Sequence, residues 1–261
     1  MSAAAGERRP EEVKSAARVL EVLELLGADG ARLSLAELAG AMSVPRSSLH
    51  AVLRTMEGRG WVDVDSQGTR YSLGLKALMT GTAYLEGDDV VSLAGPVLDA
   101  LAEETGEAVH LTRLAGADVV YLAKRESRHA LRMYSPVGHR LPAHATAPGK
   151  AVLARHEPGE VDRMLNWPLP QLTPDTVTDP AALAAQLEEA RLRGWALDDG
   201  ESSPGVRCVA VALGTDDQGG DALSCSAPAS RMDERRTGEI ALAVTEAAHS
   251  LRTLLKRLGQ H

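Results

Sequence analysis

The 261-residue sequence contains no phenylalanine and only two cysteines, and aromatic residues make up 3% of it. A hydrophobic core in this chain must therefore be built mainly from leucine, valine, alanine and methionine. Cys208 and Cys225 are too few for a disulfide framework, so we expect two buried, reduced thiols. Apolar runs stay well short of the ~20 residues that span a bilayer, which argues against a membrane partner.

The N-terminus is also poor in apolar residues. Residues 1–11 are small or charged and lack the hydrophobic segment of a secretory signal, so we expect a disordered start and a cytoplasmic protein. Acidic residues outnumber basic ones, 36 to 28, so the formal net charge is −8 at pH 7. Such a chain does not bind nucleic acid over its whole surface, but a local basic module remains compatible with it.

Residues 34–60 carry two short amphipathic helical patterns separated by a turn. Apolar residues recur with helical spacing at Leu35, Leu38, Ala39 and Met42, and then at Leu49, Val52, Leu53 and Met56. Ser34 and Glu37 have the spacing of a capping box at the first helix, and Pro45 suits the first position of the second. This arrangement predicts a helix-turn-helix, in which the second helix reads a DNA major groove.

The predicted second helix turns a face rich in hydrogen-bond donors outward. Residues 45–60 contain three arginines against one glutamate, so this face has a net charge of +2 within an acidic chain. Side chains near its start are expected to reach base edges or nearby phosphates, and the later arginines to anchor the DNA backbone. The predicted DNA-binding residues are Ser34, Pro45, Arg46, Ser47, Ser48, His50, Arg54, Arg59 and Arg70.

The segments on either side predict a winged form of this module. Residues 13–26 have a helical pattern with Val13, Ala17, Leu20, Leu23 and Leu26 on one side. Two alternating strands at residues 61–64 and 70–73 flank a turn at residues 65–68. A small helical bundle that does not bind DNA has similar periodicity and remains an alternative. The hairpin and the polar outer face favour DNA binding.

The rest of the chain mixes helical and strand patterns. Helices are predicted at residues 75–84, 90–105, 147–155, 180–193 and 233–258. Strands are predicted at residues 108–114, 119–124, 130–134, 206–213 and 222–227, with turns at 115–118 and 216–220 and a loop at 135–141. Hairpin strands covered by helices predict an α+β fold with a mostly antiparallel sheet.

Four stretches of the chain are characteristic in combination. They are the helix-turn-helix, the wing ending in Tyr71-Ser72-Leu73-Gly74, residues 138–154 (GHRLPAHATAPGKAVLA) and residues 205–210 (GVRCVA). Over nearly its whole length the chain resembles the IclR family of bacterial transcription regulators. The resemblance implies a winged helix-turn-helix at residues 12–74, a linker helix at 75–89 and a GAF-like effector-binding domain at 90–261. It also implies homodimers, often paired into tetramers, on palindromic double-stranded operator DNA.

Residues 144–150 lie at a predicted junction between a loop and a helix. Backbone N–H groups at a helix N-terminus can hold a carboxylate, small residues let it approach, and Thr146 adds a hydroxyl donor. A tight structural turn requires the same small residues, so a packing role remains an alternative. Pro148 removes one N–H donor from this site, and the family resemblance implies a larger aliphatic residue at that position.

The family resemblance adds residues from three other segments to the predicted site. It places Asp198 and Glu201 at the pocket, although Gly200 stands where the family typically has an acid. A solvated loop, the usual state of such acidic segments, is the alternative. Cys208 and Ser224 would line the cavity, with Leu141 as an apolar wall. The complete predicted effector site is Leu141, Ala145, Thr146, Ala147, Pro148, Gly149, Asp198, Glu201, Cys208 and Ser224.

Catalytic and metal-binding patterns are missing from the sequence. It contains no H-E-x-x-H, G-x-S-x-G or C-x-x-C motif, and His139 and His144 lack further ligands for zinc, so we expect no enzyme activity, cofactor or metal. The leading hypothesis is a transcription regulator of a metabolic operon, with a lean towards a repressor, controlled by a small anionic organic-acid effector. The alternatives are a dimeric metabolite-sensing module that does not bind DNA and, less favoured, an enzyme acting on small carboxylates.

Overall fold

The computed structural model describes residues 13–129, 135–214 and 220–258. These residues form two compact units, with the division between Tyr84 and Leu85. The predicted disordered start at residues 1–11, the predicted strand at 130–134 and most of the predicted turn at 216–220 lie outside the described residues. Within the described ranges, no helix is both long enough and apolar enough to cross a bilayer.

The first unit combines a helix-turn-helix with a small sheet. Its elements are α1 (Lys14–Gly27), β1 (Leu33–Ser34), α2 (Leu35–Ala41), α3 (Arg46–Gly58), β2 (Val62–Val64), β3 (Arg70–Leu73) and α4 (Leu75–Glu86), which runs across the division. The strands pair antiparallel in the order β1-β3-β2, which confirms the predicted wing hairpin. The two-residue strand β1 was not predicted.

The capping box at the start of α2 is confirmed. The Ser34 hydroxyl accepts a hydrogen bond from the Glu37 N–H at 3.3 Å, and the Glu37 carboxylate accepts one from the Ser34 N–H at 2.7 Å. The sequence predicts Pro45 as the first residue of α3. It is instead the N-cap of this helix, because its ψ of 133° is extended. Between the two helices, Ser43 makes the turn in a left-handed conformation with a φ of 53°.

The predicted buried faces of α2 and α3 are confirmed, whereas the predicted face of α1 is right for Leu26 and wrong for Val13 and Leu20. Val13 and Leu20 are 66% and 60% exposed, whereas Val22 and Leu26 are buried against α3 and its surroundings. The physical reason is that apolar residues occur around most of the circumference of α1, so periodicity alone does not single out one side. Packing against the rest of the unit selects the side that contains Val22 and Leu26.

The second unit is built around a six-stranded sheet. Its elements are α5 (Asp89–Thr105), β4 (Ala108–Ala115), β5 (Asp118–Arg125), β6 (Arg140–Pro142), α6 (Ala147–Leu153), α7 (Pro158–Met164), α8 (Pro180–Arg193), β7 (Ala196–Asp199), β8 (Val206–Ala212), β9 (Asp221–Pro228) and α9 (Glu234–Leu258). All strand pairs are antiparallel in the order β6-β5-β4-β9-β8-β7, which confirms the α+β fold. The elements β6, α7 and β7 were not predicted.

The two faces of this sheet are covered by different helices. Side chains of one face, including Leu111, Val211 and Leu223, pack with α5 and α9 in a large aliphatic core. The other face carries smaller or polar residues such as Cys208 and Ala210 and packs with α6 and its neighbours. Alternate residues of a strand point to opposite faces, so the same strands build a core and a functional surface.

Candidate functional sites

The outer face of α3 is polar and accessible, as the sequence predicts. Arg46, Ser47, His50 and Arg54 are exposed, and Arg59 is exposed at the helix end. On the opposite side of the same helix, residues of the unit's apolar core are fully buried, for example Leu49, Leu53 and Met56. The helix is therefore fixed by its apolar side and presents a donor-rich side to solvent, which is the arrangement that major-groove reading requires.

Three of the predicted DNA-binding residues already have partners within the unit. Ser48 is half-buried, and its hydroxyl accepts a hydrogen bond of 2.7 Å from the Arg18 guanidinium on α1. The Arg70 guanidinium donates to the Arg32 carbonyl at 2.7 Å and lies 3.6 Å from the Glu37 carboxylate. Ser34 uses its hydroxyl in the cap of α2. The contacts of Ser48 and Arg70 orient α3 and the wing and were not predicted from the sequence, whereas the Ser34 cap was.

The wing turn is held by one carboxylate. Asp65 accepts hydrogen bonds from the N–H groups of Thr69 at 2.7 Å and Arg70 at 3.2 Å, while Gly68 adopts a φ of +70°. The Thr69 N–H is the main reason that the pKa of Asp65 is lowered. A turn fixed in this way keeps the tip of the hairpin in one conformation.

A cavity of about 470 Å³ lies on the polar face of the six-stranded sheet. Its polar lining comes from hydroxyl, carboxylate, thiol and imidazole groups on several elements. The lining residues are Tyr121, Ser135, His139, Leu141, Thr146, Pro148, Asp198, Ser202, Ser203, Pro204, Gly205, Val206, Cys208, Ser226 and Pro228. This volume is within the range of small-molecule sites.

Strand register brings three of these side chains into one row. Asp198 on β7 lies opposite Cys208 on β8, and Cys208 lies opposite Ser226 on β9. All three are buried, with 1%, 6% and 3% of their surfaces exposed. The solvated-loop alternative is therefore wrong for Asp198, because Asp198 is buried and the first half of the acidic segment belongs to strand β7.

Burial determines the electrostatics of the cavity. It raises the pKa of Asp198 to about 6, although hydrogen bonds from Ser202 and the charge of Lys150 oppose this shift. Burial likewise raises the pKa of the Cys208 thiol, so the thiol stays protonated. Beside the cavity, His110 packs edge-on against Tyr121 at 5.0 Å, and burial lowers its pKa to about 4. At neutral pH the thiol and the imidazole are therefore uncharged, whereas Asp198 is mostly ionised and is the acidic group of the cavity wall.

The helix end beside the cavity offers fewer backbone donors than predicted. Thr146 is the N-cap of α6, and its hydroxyl accepts the Gly149 N–H at 3.2 Å. Pro148 has no N–H, so two positions of the first turn are unavailable to a ligand. Gly149 also has a packing role, because a Cβ at this position would lie 2.2 Å from the Ala143 carbonyl oxygen.

The structure brings together half of the predicted effector residues. Leu141, Thr146, Pro148, Asp198 and Cys208 line the cavity. The other predicted residues are buried nearby but are not part of the lining: Ala145, Ala147, Gly149, Glu201 and Ser224. Glu201 instead forms a buried ion pair with Lys150, with its carboxylate 2.5 Å from the Lys150 Nζ.

Several lining residues were missed by the sequence reading. Ser226 lies two residues beyond the predicted Ser224 on the same face of β9, so strand alternation could have identified it. Tyr121 and Ser135 come from distant segments, and no local pattern marks them. Among the described residues, no group of three histidine, cysteine or acidic side chains is arranged to hold a metal ion.

Comparison with known proteins places both units in one family. The family model described as "Bacterial transcriptional regulator IclR C-terminal" matches residues 82–253, and the family model of the IclR helix-turn-helix domain matches residues 15–66. The HTH-type transcriptional regulator BhcR of Paracoccus denitrificans is 37% identical over 92% of this chain and 86% of its own. The repressor AllR of Klebsiella pneumoniae is 33% identical over 96% of this chain and 94% of its own.

A solved structure extends this similarity to the fold. The crystal structure of an IclR homologue from Microbacterium hydrocarbonoxydans, complexed with 4-hydroxybenzoate, has a TM-score of 0.78 and 27% identity to this chain. The match covers 93% of this chain and 99% of that chain. The chain therefore belongs to the IclR family and is a DNA-binding transcription regulator.

Proposed function

We propose that the second unit binds a small organic acid in the 470 Å³ cavity and that binding changes the affinity of α3 for a palindromic operator. The observation that carries this proposal is the hydroxyl-rich cavity in a chain that also presents an exposed basic reading helix. A ligand acts in this way only if it binds the DNA-competent and DNA-incompetent states with different affinities.

The lining of the cavity supports an acid as ligand. Hydroxyls of Ser135 and Ser226 supply donors for a carboxylate, and His139 adds an imidazole. The hydroxyls of Thr146 and Ser202 also line the cavity but already donate to the Ala143 carbonyl and to Asp198. The solved homologue from Microbacterium hydrocarbonoxydans holds an aromatic hydroxy acid, 4-hydroxybenzoate. Asp198 places a carboxyl group in the same wall, where it accepts a hydrogen bond from a ligand hydroxyl. The favoured class is thus a hydroxy or keto acid.

DNA reading is assigned to the exposed residues of α3. Arg46, Ser47 and His50 reach base edges, while Arg54 and Arg59 contact phosphates. Ser48 and Arg70 contribute indirectly by orienting the helix and the wing through Arg18 and the start of α2. Base contacts set the operator sequence, and phosphate contacts set the salt dependence.

A second copy of the chain is the proposed partner of the first unit. Large apolar side chains are exposed on α1, on the residue before it and on α4, and a monomer would leave them in water. They are Val13, Leu20, Leu75, Leu78 and Met79. Covering them in a symmetric homodimer would place two reading helices on successive major grooves about 34 Å apart. Two such dimers can pair into a tetramer.

Repression of a metabolic operon in the cytoplasm is the proposed outcome. The AllR relative is named a repressor, which favours this direction over activation. The proposed cytoplasmic location follows from the proposed partner, because the protein must be in the same compartment as the operator DNA. The effector would then release the operator by favouring the state with lower DNA affinity.

DNA recognition by α3 is tested by fluorescence anisotropy with DNA from the region upstream of the gene that encodes this chain. Arg54→Ala should weaken binding by roughly tenfold and reduce the salt slope by about 1, because one phosphate contact is lost. His50→Ala should weaken binding with little change in slope. Arg235→Ala, which removes an exposed arginine of α9, is the matched control. Equal binding by all four proteins would contradict the assignment of α3.

The ligand class is tested by thermal shift with matched pairs of compounds. Short keto acids, sugar acids and aromatic acids such as 4-hydroxybenzoate are each compared with their neutral amides. We expect at least one acid to raise the melting temperature more than its amide and to release DNA. Stabilisation by amides alone would refute an anionic effector.

A further inference from the structure

The loop that follows β7 forms one wall of the cavity and is held from behind by a buried ion pair. Ser202, Ser203, Pro204 and Gly205 all contribute to the lining. Behind them, the Lys150 side chain on α6 is 2% exposed and the Glu201 side chain is 5% exposed. Neither of these two residues lines the cavity itself.

The ion pair joins three elements. The Lys150 Nζ lies 2.5 Å from the Glu201 Oε1 and donates to the Gln186 Oε1 at 3.2 Å. Gln186 on α8 in turn donates its Nε2 to the same Glu201 oxygen at 3.3 Å. The loop is thereby fixed to α6 and α8 through a single carboxylate oxygen.

Hydrogen bonds of the Glu201 backbone connect the ion pair to residues that line the cavity. The Glu201 N–H donates to the Asp198 Oδ1 at 2.7 Å, and its carbonyl accepts a hydrogen bond from the Thr176 hydroxyl at 2.7 Å. Ser202, the next residue, donates its hydroxyl to the Asp198 Oδ2 at 2.5 Å. A shift of Glu201 must therefore move Asp198 and Ser202, and both of these line the cavity.

Stability alone does not account for this ion pair. Removing two charges from water is costly, and replacing a buried pair with apolar residues of similar size is often neutral or stabilising. The second oxygen of Glu201, Oε2, is buried without a hydrogen-bond partner among the described atoms, which adds to the cost. Unlike apolar side chains, the two charged groups form a directional contact at a defined position in the loop.

We infer that Lys150 and Glu201 are positioning residues that hold the loop after β7 in the shape that the effector cavity requires. This inference rests on the proposed function, because it assigns the role of the loop to that cavity. It predicts that an apolar replacement of both residues keeps the fold but loosens the wall that carries Asp198 and Ser202.

The two cysteines of the full-length protein supply a test that needs no effector. Cys208 lines the cavity, whereas Cys225 is fully buried in the aliphatic core on the other face of the sheet. The rate at which methyl methanethiosulfonate modifies each thiol is measured by mass spectrometry on folded protein. In Lys150→Met/Glu201→Leu we expect unfolding stability near that of the wild type, a rise of roughly tenfold in the Cys208 rate and an unchanged Cys225 rate.

A matched control replaces another ion pair of the same unit. Arg231 and Glu107 are joined at 2.6 Å, with the Glu107 side chain 6% exposed, and neither residue lines the cavity. Arg231→Met/Glu107→Leu should leave the Cys208 rate unchanged. If the Lys150/Glu201 double variant does not fold, Glu201→Gln, which keeps the size but removes the negative charge that faces the Lys150 ammonium group, is measured in the same way and should also raise the Cys208 rate.

Two results would overturn the inference. One is an unchanged Cys208 rate in the folded variant, and the other is a parallel rise at both cysteines, which would indicate general loosening. Because the measurement uses no effector, failure of the cavity to bind any organic acid leaves its outcome readable. The inference and the proposed function can therefore fail separately.

Discussion

The two faces of the six-stranded sheet come from alternate residues of the same strands, yet their chemistry differs. On β8, Val209 and Val211 point into the aliphatic core, while Cys208 and Ala210 point to the opposite side. On β9, Leu223 belongs to the first set, and the neighbouring serines face the cavity side. Residues of opposite parity thus build the large aliphatic core and the surface that carries the cavity.

The largest expected effect is on the aliphatic face. Leu223→Ala should lower the free energy of unfolding by about 3–4 kcal/mol, because Leu223 is fully buried and its loss leaves a cavity among rigid neighbours. Urea unfolding measures this change. Thiol modification of Cys208 should stay slow in the folded variant. A loss below about 1 kcal/mol would show that this face is not the main source of stability.

The second-largest effect is on the pH dependence of stability. Two buried titratable residues on the cavity side each contribute about 2–3 kcal/mol, with opposite dependence on pH. The pKa of Asp198 is raised to about 6 by burial, so its contribution to stability is present below about pH 4 and is lost as pH rises through 6. The pKa of His110 is lowered to about 4 by burial, so its contribution is present above about pH 6.5 and is lost as pH falls towards 4.

These opposite signs are measured by urea unfolding between pH 4 and 8. Relative to the wild type, Asp198→Asn should become more stable as pH rises from 4 to 6, because the variant has no carboxyl group to ionise. His110→Asn should become more stable, relative to the wild type, as pH falls from 6.5 to 4. Profiles that run parallel to the wild type in either variant would exclude that residue as the source of the pH dependence.

Gly149→Ala tests how closely α6 packs on the cavity side. Its Cβ would lie 2.2 Å from the Ala143 carbonyl oxygen and 2.4 Å from the Ala143 Cα, and backbone atoms cannot move aside cheaply. We expect a loss of about 2 kcal/mol in unfolding free energy. Gly159→Ala, on α7 with open space around the new methyl group, is the control. Equal stability of both variants would show that the junction accommodates a side chain.

The smallest effect on stability is expected from Ser226→Ala. Its hydroxyl lines the cavity, so its removal should change unfolding free energy by about 0.5 kcal/mol while weakening any acid found in the thermal-shift screen by roughly tenfold. Ser250→Ala, on the exposed side of α9, serves as the control because its hydroxyl bonds only within its helix. Unchanged affinity for the acid would remove Ser226 from the site.

Elements with strong local patterns could be predicted from the sequence. The helix Pro180–Arg193 begins at the Asp179 cap and ends at Gly194 in a left-handed conformation, and both signals are visible in the sequence. The hairpin of β4 and β5 turns through Gly116, with a φ of +64°, as its residues indicate. In such segments the local preference agrees with the tertiary structure.

Other elements depend on distant contacts and could not be predicted. Strand β7 contains Asp198 and Asp199, which have low β-propensity, and it forms because β8 supplies its hydrogen bonds. Strand β6 has three residues and includes Pro142, too few for an alternating pattern. The role of Lys150 was missed for the same reason, since its partner Glu201 lies 51 residues away in sequence.

The outer strands of the six-stranded sheet also affect solubility. One border is the three-residue strand that ends at Pro142, whose ring supplies no N–H to an incoming strand. The other border ends at Asp199, where the Arg207 guanidinium forms hydrogen bonds of 2.8 and 2.7 Å with its carboxylate. Short borders that carry proline and charge discourage amyloid-like extension. Within the described residues, both borders of the sheet therefore oppose edge-to-edge polymerisation between copies of this regulator.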